Sequence, residues 1–235
     1  MRSAWLLLCA IVVAVPAIDA QTRKSPAKKT PQRTVRKVPE LPLSRVQAEW
    51  RCNSELGVGV TTGRRFCDVL TGNNPADGVL ITIPPHRGPV MMTFELHNRH
   101  TYSAELVKLK QAYRKYTATI GVLTMDNTLV DRAVVLSEFR TESDLFDRIS
   151  GGAGPGGVKA VAPSGAELIM MELPADVGEQ VSVLGEKLTV VRPDGVDHFS
   201  SSGRPIATIS NVMLEFRPGP PPKKAPPKKS APKKP

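Results

Sequence analysis

The stretch Thr117–Phe139, TATIGVLTMDNTLVDRAVVLSEF, consists of two β-rich runs around a cluster of turn formers. Thr117–Thr124 and Leu129–Phe139 carry β-branched and apolar residues, and Met125-Asp126-Asn127-Thr128 lies between them. Asp and Asn tolerate the tight backbone of a turn, so the stretch predicts a β-hairpin. Outward from it the same texture recurs. On the N-terminal side, Val58 and Val60 alternate with Gly57, Gly59 and Thr61, and Phe66–Leu70 comes after Thr62-Gly63, which predicts a first hairpin. The turn cluster 72–78 precedes an apolar strand, Val79–Ile83, stopped by Pro84-Pro85. Val90, Met92, Phe94 and Leu96 then share one face of a further strand. On the C-terminal side strands are expected at Glu167–Glu172, Val181–Leu184, Lys187–Val191 and Ala207–Phe216, with Gly185-Glu186 turning between the middle two.

Two segments carry helical signals. Tyr102, Leu106, Leu109, Tyr113 and Tyr116 recur at spacings of four and three, which predicts a helix over Ser103–Lys115, with a further strand as the alternative. Ser143 is placed to cap a short helix over Asp144–Ile149, which the glycine-rich run 151–157 ends in a loop. Closely spaced strands with so little helix between them disfavour parallel βαβ units. The fold class expected is mainly β, an antiparallel β-sandwich, Ig-like or jelly-roll-like, with one or two short helices.

Charge divides the chain of 235 residues. The whole carries 32 Lys and Arg against 22 Asp and Glu, a formal +10. Residues 21–45 hold eight bases and one acid, and residues 217–235 hold seven bases and no acid, so each arm is +7. Residues 1–20 balance, which leaves 16 bases and 20 acids for 46–216, a net of −4. The expected organisation is a signal peptide (1–20), a disordered basic arm (21–45), one β-sandwich domain (46–216) and a disordered Pro/Lys-rich tail (217–235).

The export signal rests on Arg2, the apolar run Trp5–Val15, Pro16 and the small residues leading to Ala20. The run is shorter than a spanning helix needs, so no transmembrane segment is expected in the mature chain. Cys9 comes after Leu8 inside the apolar run, which argues against lipid attachment there. Removal of the signal leaves Cys52 and Cys67, an even pair in an oxidising compartment, and a structural disulfide between them is expected. The localisation expected is periplasmic, cell-surface or secreted.

The C-terminal arm repeats Pro222-Lys223-Lys224, Pro227-Lys228-Lys229 and Pro232-Lys233-Lys234. In polyproline II, with three residues per turn, a period of five winds the lysine pairs around the strand, a geometry suited to a diffuse anionic surface. These six lysines, with Lys28 and Lys29 of the N-terminal arm, are the candidate contacts to anionic envelope polymers or lipid headgroups. Solubility and spacing, and folding back of the arms onto the acidic body, are the competing readings. The arms hold no aromatic residue to stack on bases, so specific nucleic-acid binding is not expected.

Within the body, His97, His100 and Glu95 form the only local cluster with metal-ligating chemistry, and a third or fourth ligand would have to come from His86 or His198. No metal or cofactor is expected. The glycine run lacks the Gly-Lys-Ser/Thr of a phosphate loop, and no Gly-x-Ser-x-Gly elbow is present, so no catalytic residue is assigned. Asp126, Asp131, Glu138, Glu142, Asp144 and Asp147 are the carboxylates available for glycoside chemistry if two of them face one cleft. The function expected is an exported, non-catalytic binding or envelope-associated protein whose body meets a protein or glycan. The alternative is a secreted, possibly glycan-acting hydrolase.

Overall fold

The structure is a computed structural model that describes residues 41–153, 158–162 and 166–220. The signal peptide, nearly all of both arms and their candidate lysines, and part of the glycine run, lie outside the described residues. Among the described residues, fifteen strands and one short α-helix run in order: β1 (Ser44–Gln47), β2 (Trp50–Arg51), β3 (Glu55–Val58), β4 (Arg65–Leu70), β5 (Val79–Thr82), β6 (His86–Asn98), β7 (His100–Ser103), α1 (Ala104–Lys108), β8 (Arg114–Thr124), β9 (Leu129–Phe139), β10 (Asp147–Ala153), β11 (Val158–Ala162), β12 (Glu167–Leu173), β13 (Gln180–Arg192), β14 (Gly195–Phe199) and β15 (Pro205–Pro218). One sheet has the order β12-β6-β15-β4-β3, with β1 also on β15. The other has the order β2-β5-β13-β8-β9, with β14 also on β13. All strand pairs in both sheets are antiparallel.

The two sheets enclose one core. Val90, Met92, Phe94 and Leu96 of β6 are fully buried, as their alternation predicts, and they share the core with Ile120, Val122, Val181 and Val183 of the second sheet. The hairpin β8–β9 forms with Thr117 opposite Leu136 and Asn127 in the left-handed region at the turn. In β15, Ile209, Val212 and Leu214 are all buried although strict alternation would turn Val212 outward. A bulge between Ser210 and Met213, with Asn211 at φ 51°, resets the register. Asn98 also points inward from β6, and its amide nitrogen reaches Ser137 Oγ at 3.0 Å and the Tyr116 and Val135 carbonyls at 3.3 Å, a polar pin between the sheets.

Three local expectations are corrected. The helix expected over Ser103–Lys115 is confined to Ala104–Lys108, capped by the Ser103 hydroxyl and ended before Lys110 at φ 57°. Tyr102 belongs to β7 and Tyr116 to β8, so the helical spacing strings together residues of different elements. The helix expected over Asp144–Ile149 is instead a single 3₁₀ turn, Glu142–Asp144. Asp144 accepts from the backbone of Arg140 and Thr141 at 2.8 and 2.7 Å, and the chain then extends into β10. The turn expected at Gly185-Glu186 is a bulge inside one continuous strand, β13. A Cβ at Gly185 would lie 2.7 Å from the Ile206 side chain, so glycine lets the two sheets approach there.

The folded part extends slightly past the expected limits of 46–216, since β1 begins at Ser44 and β15 runs to Pro218. Segments expected as helix and loop also build a third, small sheet, β10-β11-β7. Ile149 of β10 packs on Phe66 of β4, and Gly59 bridges to Ile149, so this sheet flanks the outer face of the first.

Candidate functional site

Cys52 and Cys67 are joined in a disulfide with Cα atoms 5.8 Å apart. Cys52 comes just after β2 of one sheet and Cys67 lies on β4 of the other, so the bond ties the sheets together at one margin. Arg65 stacks over Trp50 at 4.5 Å beside it. The pairing is structural, as the sequence suggests.

The histidines do not converge. Glu95 and His97 share the outer face of β6, while His100, past the crossing of the chain at Arg99, packs against Tyr116 and Phe139 at ring distances of 5.4 and 4.9 Å. His198 bonds Thr189 on the second sheet at 3.1 Å, and His86 begins β6 at the far end. Among the described residues, no group of three or more His, Cys, Asp or Glu is placed to hold a metal ion.

Around His97 the structure gathers residues that local sequence does not connect. His97 Nε2 lies 3.0 Å from Ser210 Oγ of β15 and 3.8 Å from Glu95 Oε2. Glu95 is paired with Arg64 and accepts from Asn211 Nδ2 at 3.1 Å. Phe66 and Phe146 close over the imidazole, with ring centroids 5.5 and 5.1 Å away. Serine, histidine and carboxylate are the ingredients of a nucleophilic triad, but a triad needs the serine on one ring nitrogen and the carboxylate on the other. Here both approach the same nitrogen, and His97 and Ser210 are fully buried. The arrangement is a polar knot beneath the third sheet. Ser210 and Arg64 leave no mark in the local sequence, because the strand register brings them to Glu95 from far along the chain.

Burial governs the other charged groups. His100 is 5% exposed. Desolvation, reinforced by the neighbouring Arg99 charge, pushes its pKa down to about 4 against the weaker opposing pull of the Asn98 carbonyl and Asp144. Burial raises Asp68 above the ordinary carboxylate range despite its two contacts to Arg99 Nε at 2.9 and 3.0 Å. Asp147, almost fully buried, is partly penalised by desolvation, but bonds from Thr62 and Thr61 outweigh this and lower its pKa. It takes the Thr61 and Thr62 amides at 3.0 and 2.9 Å and the Thr62 hydroxyl at 2.6 Å, tying the β3–β4 turn to β10. Asp147 and Asp144, two of the carboxylates available for glycoside chemistry, thus hold backbone.

Two adjoining concavities open at one end of the sandwich, and a third hollow of about 540 Å³, bordered by Glu49, Trp50, Arg64 and Arg65, lies beside the first. A groove of about 880 Å³ has Val46, Ile83, Pro84, Pro85, Val177 and Leu214 on its walls, with Glu49 and Glu179 at its polar margin. A second cleft of about 920 Å³ adjoins it through Val177, Gly178 and Glu179 and adds Asp126, Glu172 and Asp176. Among the described residues, the two hollows together present five carboxylates and no lysine or arginine. None of the five joins an ion pair among the described residues, whereas Glu55, Asp68, Glu95, Glu138, Glu142 and Glu186 all do. Of the carboxylates singled out from the sequence, only Asp126 reaches this place, beside the candidate His86, and its carboxyl is held low chiefly by the Thr124 hydroxyl. Glu172, Asp176 and Glu179 come together through the β12–β13 connection, which carries no motif. No protein-family model matches the chain, and no curated protein shows significant similarity to it.

Proposed function

We propose that the protein is an exported, non-catalytic binding protein whose two cationic arms hold it to anionic envelope polymers or lipid headgroups while the sandwich meets a partner. The observation that carries this reading is the division of charge: +7 on each arm and −4 between them. The points of attachment add to it. Ser44 of β1 pairs with Phe216 of β15, so the chain enters the body beside the place where it leaves. Two arms rooted side by side raise each other's effective concentration at a surface. The burial of His97 and Ser210 favours a binding role over acyl transfer.

The test is co-sedimentation with vesicles containing anionic lipid, at low and high salt, against neutral vesicles. Deletion of residues 221–235 spares β15 and removes six lysines. A lysine near an anionic surface contributes about 1 kcal/mol, so retention should fall steeply and lose much of its salt dependence. Unchanged retention sinks the proposal.

A glycan-acting hydrolase is the second reading, favoured by the carboxylates that share the end clefts. Against it, no aromatic side chain among the described residues lines either hollow, apart from the imidazole of His86, to platform a sugar ring. Release of reducing ends from envelope glycans, abolished by Glu179→Gln or Glu172→Gln, would establish it in place of the first.

A further inference from the structure

We propose that the end groove is a docking site for a lysine-bearing polyproline segment and that its occupant is the chain's own C-terminal arm, Pro221–Lys229 foremost. The described chain ends at the groove. Pro218 pairs with His86, the Gly219 amide donates to the Pro85 carbonyl at 2.9 Å, and Pro220 itself lines the wall. A Cβ at Gly219 would lie 2.8 Å from the His86 backbone, so glycine is required for the chain to pass this close and head into the hollow.

The residues after Pro220 match the chemistry of the groove. Pro221-Pro222-Lys223-Lys224-Ala225-Pro226-Pro227-Lys228-Lys229 alternates proline pairs with lysine pairs. Proline and lysine stems can cover the Val46, Ile83, Pro84 and Leu214 walls, and the ammonium groups meet Glu49, Glu179, Asp176, Glu172 and Asp126. A polyproline segment extends roughly 3.1 Å per residue, so nine residues in that conformation span roughly 28 Å. Proline-rich chain is already stiff and loses little entropy on docking.

His86 also lines the groove. Its Nδ1 lies 3.0 Å from the Pro84 carbonyl, which can only accept, so Nδ1 carries the hydrogen. In the neutral ring Nε2 is then the acceptor, and it is buried without a donor among the described residues. Arg87 and Arg217 face each other across β6 and β15 close to the exit, but neither lines the groove.

Docking of the arm in the groove is independent of surface binding, since it concerns where the arm rests when no surface is present. It adds a competition: lysines held in the groove are withheld from an anionic surface until that surface displaces them.

The test is zero-length carbodiimide crosslinking of the intact protein, mapped by mass spectrometry, with light and heavy isotopic forms mixed. Crosslinks from Lys223, Lys224, Lys228 and Lys229 should be intrachain and fall mainly on the five groove carboxylates. Asp176→Asn with Glu179→Gln should cut tail crosslinks to the remaining three several-fold. A variant with Pro221, Pro222, Pro226 and Pro227 changed to Ser keeps every lysine and should lose the preference. Crosslinks spread over exposed acids such as Glu105, Asp131 and Glu138, mixed light–heavy pairs showing a second copy as occupant, or an undiminished pattern in the serine variant would each overturn it. Vesicle retention can persist through any of these outcomes, so failure here is separable from failure of the surface-binding reading.

Discussion

Acidification should weaken the fold well above the range in which carboxylates protonate, and His100 is the reason. Its ring packs against Tyr116 and Phe139, and neither ring nitrogen has a hydrogen-bond partner among the described residues. The folded state therefore keeps the imidazole neutral down to about pH 4, whereas in the unfolded chain it takes up a proton near 6.5. Between those values the unfolded state binds one proton more, so stability rises with pH and falls on acidification. At about 1.4 kcal/mol for each pH unit separating the two values, the loss from neutrality to pH 4 amounts to about 3 kcal/mol. That is a large fraction of the roughly 5–15 kcal/mol by which domains are stable.

The assay is urea unfolding followed by Trp50 fluorescence between pH 7.5 and pH 4, on the natural chain and on His100→Phe. Phenylalanine is a ring of similar size that can pack on the same two aromatics and cannot titrate, so at neutral pH the variant should match the parent to within about 1.5 kcal/mol. On acidification the parent should lose about 3 kcal/mol more than the variant. Asp68 acts in the opposite direction, because burial raises its carboxyl and the folded state gains a proton first. It is present in both proteins and cancels in the difference, save for its coupling through Arg99. Parallel pH curves for parent and variant would refute the reasoning, since they would mean that the imidazole is solvated or bonded when folded.

Three further substitutions probe the joints of the fold. Replacing Cys52 and Cys67 together by Ser should cost about 3 kcal/mol in urea unfolding, the loop entropy released to the unfolded chain. Asp147→Ala strands two amides and a hydroxyl of the Thr61–Thr62 turn and should cost about 2–3 kcal/mol in the same assay. Its lowered pKa means that the parent's contribution is present at neutral pH and disappears as pH falls through the folded value, below 3.8. Asn98→Leu preserves volume but removes the donor to Ser137 and the Tyr116 and Val135 carbonyls. A loss of about 1–3 kcal/mol is expected, and a neutral result would deny the polar pin its role.

Where a segment's partner is close in sequence, its residues announce its structure. The hairpin β8–β9 is legible because Asp126 and Asn127 mark its turn between two β-rich runs, whose Ile120, Ala133 and Val135 are buried. The inward face of β6 is legible for the same reason. The segment Ser143–Ala153 is not. Its short-range signals, a serine beside Asp144 and a glycine run, suit a helix end, yet Phe66 and Ile149 draw the chain into an extended strand across the first sheet. Gly185 is misleading in an equivalent way. It suggests a turn, but the approach of Ile206 is what excludes a side chain there.

The same distinction explains why Glu95 and His97 could be paired from sequence while the end groove could not. Residues two apart on a strand must share a face, so their proximity comes from the pleat alone. Glu49, Asp126 and the connection that carries Glu172 and Glu179 stand on three separate segments, and only the closure of the two sheets brings them to one end. Their effect is nonetheless visible as a remainder of the net charge. A body of net −4 commits many of its acids to pairs with its own arginines, and five of the acids outside such pairs among the described residues line the two hollows at one end. That place is the end from which the lysine-rich arm departs. A tail covalently rooted at the rim of an acidic hollow would meet it at high effective concentration, so on the docking proposed above even a weak groove would compete for the lysines.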